Sequence, residues 1–173
     1  MSCALTQGFN LDCRDAVGGI KEIYIIEIGN VSTVTEASGI VSAITKAPGK
    51  RFWKYSLIRE TSNFSETLTV SEANGTTFAA QTGEIILNKR QASVRNELML
   101  LAKGNVAIVA VDNTGSGWLY GREYGMMVNN AVAATGTAWG DRNGYTVPFS
   151  GNEKELAPQV PANVILTLET PGA

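Results

Sequence analysis

Residues 51–89, RFWKYSLIRETSNFSETLTVSEANGTTFAAQTGEIILNK, limit what the chain can fold into more than any other part of it. Apolar and polar side chains alternate there with a period of two, which suits strands and not helices. Trp53, Tyr55 and Leu57 fall on one parity and Lys54, Ser56 and Glu60 on the other, with Phe52 and Ile58 breaking the pattern. Thr61–Asn63 can bend or bulge the chain. Phe64, Leu68 and Val70 then alternate with Ser65, Thr67, Thr69 and Ser71. Asn74-Gly75 is a hairpin signal, because both residues tolerate positive φ. A third strand is expected from about Thr77 to Asn88. The stretch reads as a long antiparallel meander, apolar on one side and lined with hydroxyls on the other.

The flanking sequence extends this β pattern. KEIYIIEI (21–28) is apolar on both parities, as in a strand covered on both faces. VSTVTE (31–36) and IVSAIT (40–45) follow, separated by turn residues. VAIVAV (106–111), WLYG (118–121), GYTVPFSG (144–151) and VILTLET (164–170) read as further strands, the last one closing the chain. Trp53 and Trp118 read as core. RQASVRNELMLLAK (90–103) is the one convincing helix: Val94, Leu98 and Leu101 recur at i, i+4 and i+7, with Met99 and Leu100 widening the stripe. That face is expected to pack on the domain's own sheet, with Gly104 closing the helix. Residues 1–19 read as an irregular arm. No repeat or linker interrupts the chain, so the expected fold is one domain over 1–173, mainly β (α+β), with one helix against a sheet.

Composition removes most chemistry. Only 17% of residues are charged, against about 25% in an average soluble domain. Two explanations fit: a surface covered by neighbouring subunits, or Thr-rich exposed sheet faces. A net charge of -2 argues against charge-driven nucleic-acid binding. With no histidine, the commonest general base and metal ligand is missing. Cys3 and Cys13 cannot complete a zinc site by themselves and are expected to be free thiols without catalytic or metal roles. DNTGSG (112–117) and GDRNG (140–144) hold oxygen ligands near glycines but read as turns rather than calcium loops. Glu153 and Glu155 are expected to be solvated. No phosphate or dinucleotide fingerprint is present. The expectation is a non-enzyme without metal or cofactor. No run approaches the roughly 20 apolar residues of a membrane span, and the N-terminus lacks a secretory pattern, so a cytosolic site of synthesis without membrane insertion is expected.

Three stretches carry a resemblance: CALTQGFNLDCRDAVGGIKEIYI, LNKRQASVRNELMLLAKGNVAIVAVDNTGSGWLYG and TGTAWGDRNGYTVPFSGNEKELAP. Together they resemble virion structural proteins of tailed bacteriophages, and the order of elements is similar to that of tail tube proteins. The resemblance implies a β-sandwich or barrel-type core with one helix and a long hairpin. It implies self-assembly into hexameric rings that stack into a tube, with other tail proteins as partners. Viral double-stranded DNA would pass through the lumen without specific binding. Assembly would take place in the bacterial host cytoplasm, and the final location would be the virion tail. The polar-parity residues Lys54, Ser56, Glu60, Ser65, Thr67, Thr69 and Ser71 would then line the lumen. Short hydroxyls suit such a wall, because each added cation would contribute to phosphate binding. Two other readings stand beside it. One is a different virion component, such as a tail terminator, head–tail connector or capsid-associated protein. The other is a carbohydrate-binding β module using the Trp and Tyr side chains.

Overall fold

The computed structural model describes residues 8–9 and 17–173. The chain is mainly β, with two sheets and one helix packed on them. Cys3 and Cys13, and most of the expected N-terminal arm, lie outside the described residues.

The larger sheet contains β1 (Ile20–Glu27), β2 (Val31–Ala37), β3 (Ile40–Lys46), β4 (Trp53–Ser56), β7 (Val106–Asp112), β8 (Gly117–Tyr120) and β12 (Gln159–Val160). Its spatial order is β2-β3-β12-β8-β7-β1-β4. The smaller sheet has the order β10 (Val132–Ala134), β11 (Gly144–Glu153), β6 (Thr76–Asn88), β5 (Asn63–Ser71), with β9 (Met127–Val128) also pairing β11. The helix α1 (Ala92–Leu101) joins β6 to β7, and the short helix α2 (Ala162–Ile165) follows β12.

β1 and β7 are apolar on both parities because the larger sheet separates two cores. Ile23, Ile25, Ile108 and Ala110 face the smaller sheet, where they meet Ile85, Tyr145, Val147 and Phe149. Tyr24, Ile26, Val109 and Val111 face the opposite way, toward Val41 and Ile44 of β3 and Val164, Ile165 and Leu168 at the C-terminal end. Central strands covered on both sides need continuous apolar sequence.

α1 lies where the 90–103 pattern places it, with Val94, Leu98 and Leu101 partly buried against the inter-sheet core. The helix docks lightly: Met99 and Leu100 are exposed and do not widen its buried stripe. The cap is Ala102, and Gly104 does not take a left-handed conformation.

Other expectations are overturned. VILTLET is not a strand: Pro161 leads into α2 and a turn. Its buried residues Val164, Ile165 and Leu168 follow i, i+1, i+4 spacing, while Leu166 points to solvent. That is helical periodicity, hidden by β-branched residues. Lys46 Nζ donates to the Thr167 carbonyl at 2.7 Å and to that of Leu168 at 3.4 Å, satisfying groups a strand would have paired. Trp53 is not core. It sits on the edge strand β4 and is 58% exposed, with the Arg51 guanidinium 4.3 Å above its ring. Trp118 is also exposed, its Nε1 donating to Asp112 at 3.4 Å. β4 stops at Ser56 rather than continuing to Glu60, which sits in a turn at φ 61°.

Candidate functional site

The β5–β6 hairpin extends past the core that holds its base. β5 pairs β6 in unbroken register from Asn63↔Glu84 to Ser71↔Thr76. On its other side β6 is paired by β11 only from Ala79 onward, so the tip is a two-stranded ribbon. On the inward parity Phe64, Glu66, Leu68 and Val70 stand opposite Gly83, Gln81, Ala79 and Thr77. The ring of Phe64 lies 5.0 Å from Tyr120 and 6.5 Å from Phe149. Gly83 makes room for it, since a Cβ there would overlap the Phe64 ring. Farther out the same face loses its cover: Leu68 is 51% and Val70 66% exposed. The apolar parity read from the sequence is real, but its outer half, Leu68 and Val70, is exposed among the described residues.

Glu66 and Gln81 form a polar joint between the packed base and the open tip. Both carboxylate oxygens of Glu66 accept from the Ala157 amide at 3.0 Å, and Gln81 Nε2 donates to Oε1 at 3.3 Å. Gln81 Oε1 accepts from the Gly121 amide at 2.8 Å. Burial pushes the Glu66 carboxyl up, and the Ala157 amide and Gln81 oppose that only in part. Burial also raises the Tyr120 hydroxyl to about 12, with the Glu66 and Asp112 charges adding to it. The sequence contained the signal for this joint: Glu66 stands on the parity of Phe64, Leu68 and Val70.

Glu153 corrects an expectation. Instead of being solvated it is buried, and its Oε1 accepts the Glu123 and Tyr124 amides at 3.0 and 2.9 Å. Glu155 is open to solvent, 4.0 Å from Arg122. Asp112 is likewise occupied by its own turn. Its Oδ1 accepts the Thr114 and Ser116 amides at 2.9 and 3.0 Å. In the 140–144 stretch, Asp141 Oδ2 accepts the Thr137 and Ala138 amides at 2.8 Å. Among the described residues no cluster of three or more metal-ligating side chains forms.

The seven lumen candidates divide between the sheets. Lys54 and Ser56 lie on β4, the edge of the larger sheet, with Lys54 bound to Glu22 at 2.8 Å. Glu60 is in the connecting turn. Ser65, Thr67, Thr69 and Ser71 share the outward parity of β5, where Ser65 and Thr82 hydroxyls pair at 2.9 Å.

β5 differs from the other free edges. β2 carries two register irregularities, β10 has three residues and β4 has four. β5 has nine, regularly paired on one side, with no proline and one charge, Glu66, which turns inward. Natural edges are usually blunted by charge, proline or bulges, and this one is not.

The chain matches no protein-family model, curated protein or solved structure with which it was compared.

Proposed function

We propose that the protein is a structural subunit that self-assembles through the free edge and overhanging face of the β5–β6 hairpin. Combined with the resemblance of its sequence to tail tube proteins, the reading is a hexameric ring that stacks into the tail tube of a bacteriophage virion, the conduit for genome delivery. The observation that carries it is β5: a long, regular, unblunted edge whose apolar residues Leu68 and Val70 are left open. Such an edge is an aggregation hazard unless another strand covers it, and a closed ring of copies supplies that strand to every subunit. The two-sheet core with a lightly docked helix agrees with the sandwich or barrel-type arrangement of that family. In this reading Ser65, Thr67, Thr69 and Ser71 face the lumen, and Lys54, Ser56 and Glu60 belong to a separate patch or continue the wall across a subunit boundary.

Negative-stain microscopy of the purified protein should show rings with a central channel. Replacing Thr67 and Thr69 by lysine should leave rings intact, because these positions bury little apolar area. Genome passage should slow, since a positive wall attracts phosphate, and added salt should relieve the effect. An assembly without a channel would make a terminator, connector or capsid-associated role the better reading.

A further inference from the structure

Asparagine is followed by glycine twice in the chain, at Asn74-Gly75 and Asn143-Gly144. This dipeptide has a chemistry of its own. Glycine has no side chain to shield its amide nitrogen or to restrict its backbone. That nitrogen can therefore reach the side-chain carbonyl carbon of the asparagine before it. The fold treats the two sites in opposite ways.

Asn74-Gly75 stands at the tip of the β5–β6 hairpin, where residues 72–77 are all exposed. The bond that closes the turn is long, the Gly75 amide donating to the Glu72 carbonyl at 3.3 Å. Gly75 has φ 62°, and a Cβ there would meet nothing within 4 Å. Beneath the turn β6 is paired by β5 alone, since β11 joins it only from Ala79 onward. A two-stranded ribbon is marginal in water, so this turn opens at little cost.

At Asn143-Gly144 the asparagine is exposed too, but the backbone is fixed. Gly144 is buried and opens β11, paired with Asn88 of β6 on one side and Ala134 of β10 on the other. A Cβ on Gly144 would overlap the Leu87 carbonyl oxygen. The Asn143 carbonyl accepts the Lys89 amide at 2.6 Å. Rotating the peptide between 143 and 144 far enough for attack would break these pairings.

We propose that Asn74 is a site of spontaneous deamidation and isoaspartate formation, and that the fold protects Asn143 from the same reaction. The Gly75 amide nitrogen loses its proton to solvent and attacks the Asn74 side-chain carbonyl carbon, an intramolecular step favoured by proximity. The new C–N bond closes a five-membered succinimide, the bond to Nδ2 breaks, and ammonia leaves. Water then opens the ring. Cleavage at the side-chain carbonyl gives aspartate, and cleavage at the main-chain carbonyl gives β-linked isoaspartate. The sum is one water consumed and one ammonia released, with nothing oxidised or reduced.

Both products add a carboxylate beside Glu72, which is the only charge between residues 67 and 80. The β-linked product also lengthens the main chain of the turn by one carbon, which loosens the Ser71↔Thr76 pair that closes the hairpin. The proposal does not depend on the assembly reading: it concerns the tip of the hairpin in a single copy.

The test uses the full chain, aged in mildly alkaline buffer either folded or unfolded in guanidinium chloride. Peptide mapping by mass spectrometry follows each asparagine, and a carboxyl methyltransferase specific for isoaspartate counts the β-linked product. In the folded protein Asn74 should convert about tenfold faster than Asn143 or more, because opening a paired strand costs more than opening a frayed tip. In guanidinium chloride the two rates should converge, since both sites are then the same dipeptide in an unstructured chain. Conversion at Asn74 should yield isoaspartate as well as aspartate, and Asn74→Gln should remove the isoaspartate signal of the folded protein. Equal rates at both sites in the folded protein overturn the proposal. So does an Asn74 that stays intact when folded and converts only in guanidinium chloride, because the turn then protects it. Aspartate without isoaspartate overturns the succinimide step, and an undiminished isoaspartate signal in Asn74→Gln places the chemistry elsewhere in the chain.

Discussion

Two residues show how much a single position carries. Gly83 is not a turn glycine. It lies mid-strand because the Phe64 ring occupies the place of a Cβ. Gly83→Ala should therefore displace Phe64 from Tyr120 and Phe149 and cost about 1–3 kcal/mol, as overpacking does. Urea unfolding would show it, and an unchanged midpoint would mean that the ring does not pack there. Asp112 holds the 112–117 turn. Burial raises its pKa, but hydrogen bonds from Thr114, Ser116 and Trp118 outweigh that and leave it below the ordinary aspartate value. A carboxylate with a depressed folded pKa adds stability above its unfolded pKa and loses it as pH falls through the folded one. Asp112→Ala should cost about 1–2 kcal/mol at neutral pH, and the difference from the unaltered protein should shrink as pH drops below about 4. A pH-independent difference would show that the charge contributes nothing.

At the scale of elements, α1 is the informative case. Its heptad-like spacing identifies the docked face, yet no residue of the helix is fully buried. Leu98→Ala should cost about 1–2 kcal/mol, below the roughly 2–5 kcal/mol of a fully buried leucine. Met99→Ala should stay within about 0.5 kcal/mol. A larger loss at Met99 than at Leu98, in chemical denaturation of the monomer, would reverse the face assignment. The β5–β6 hairpin differs in kind. Two strands alone are marginal in water, and its tip has no third strand among the described residues. Its order depends on the Glu66–Gln81 joint at its base and on whatever covers Leu68 and Val70.

For the whole molecule, the sheet edges decide the behaviour. Three are short or irregular and β5 is neither. Leu68→Lys with Val70→Lys should leave the monomer's circular dichroism and melting nearly unchanged, because both side chains are largely exposed. Side-by-side association, measured by sedimentation velocity, should fall by an order of magnitude or more, because a neighbour covering this apolar face would have to bury two unpaired charges. Association equal to that of the unaltered protein would place the contact elsewhere. The low charge content fits the same picture.

The meander expected over 51–89 forms only in part, because β4 pairs β1 in the larger sheet while β5 and β6 pair in the smaller one. Local periodicity alone determined the mainly β class, the apolar strands 21–28 and 106–111, the hairpin through Asn74-Gly75 and the α1 face at Val94, Leu98 and Leu101. Each of these depends on neighbours a few residues apart, and alternation or i, i+4 spacing is written directly in the chain. Only the tertiary structure decided where those patterns stop being covered. Parity placed Leu68 and Val70 with Phe64, but only Phe64 reaches the Tyr120 and Phe149 rings, and the other two stay exposed. The same limit explains Trp53, whose strand is an edge, and VILTLET, whose β-branched residues pack as a helical turn against the larger sheet. It explains Glu153, a carboxylate drawn inside by two loop amides. Side-chain period is a local property of the backbone, whereas burial depends on which distant segment arrives, and that is fixed only when both sheets have formed.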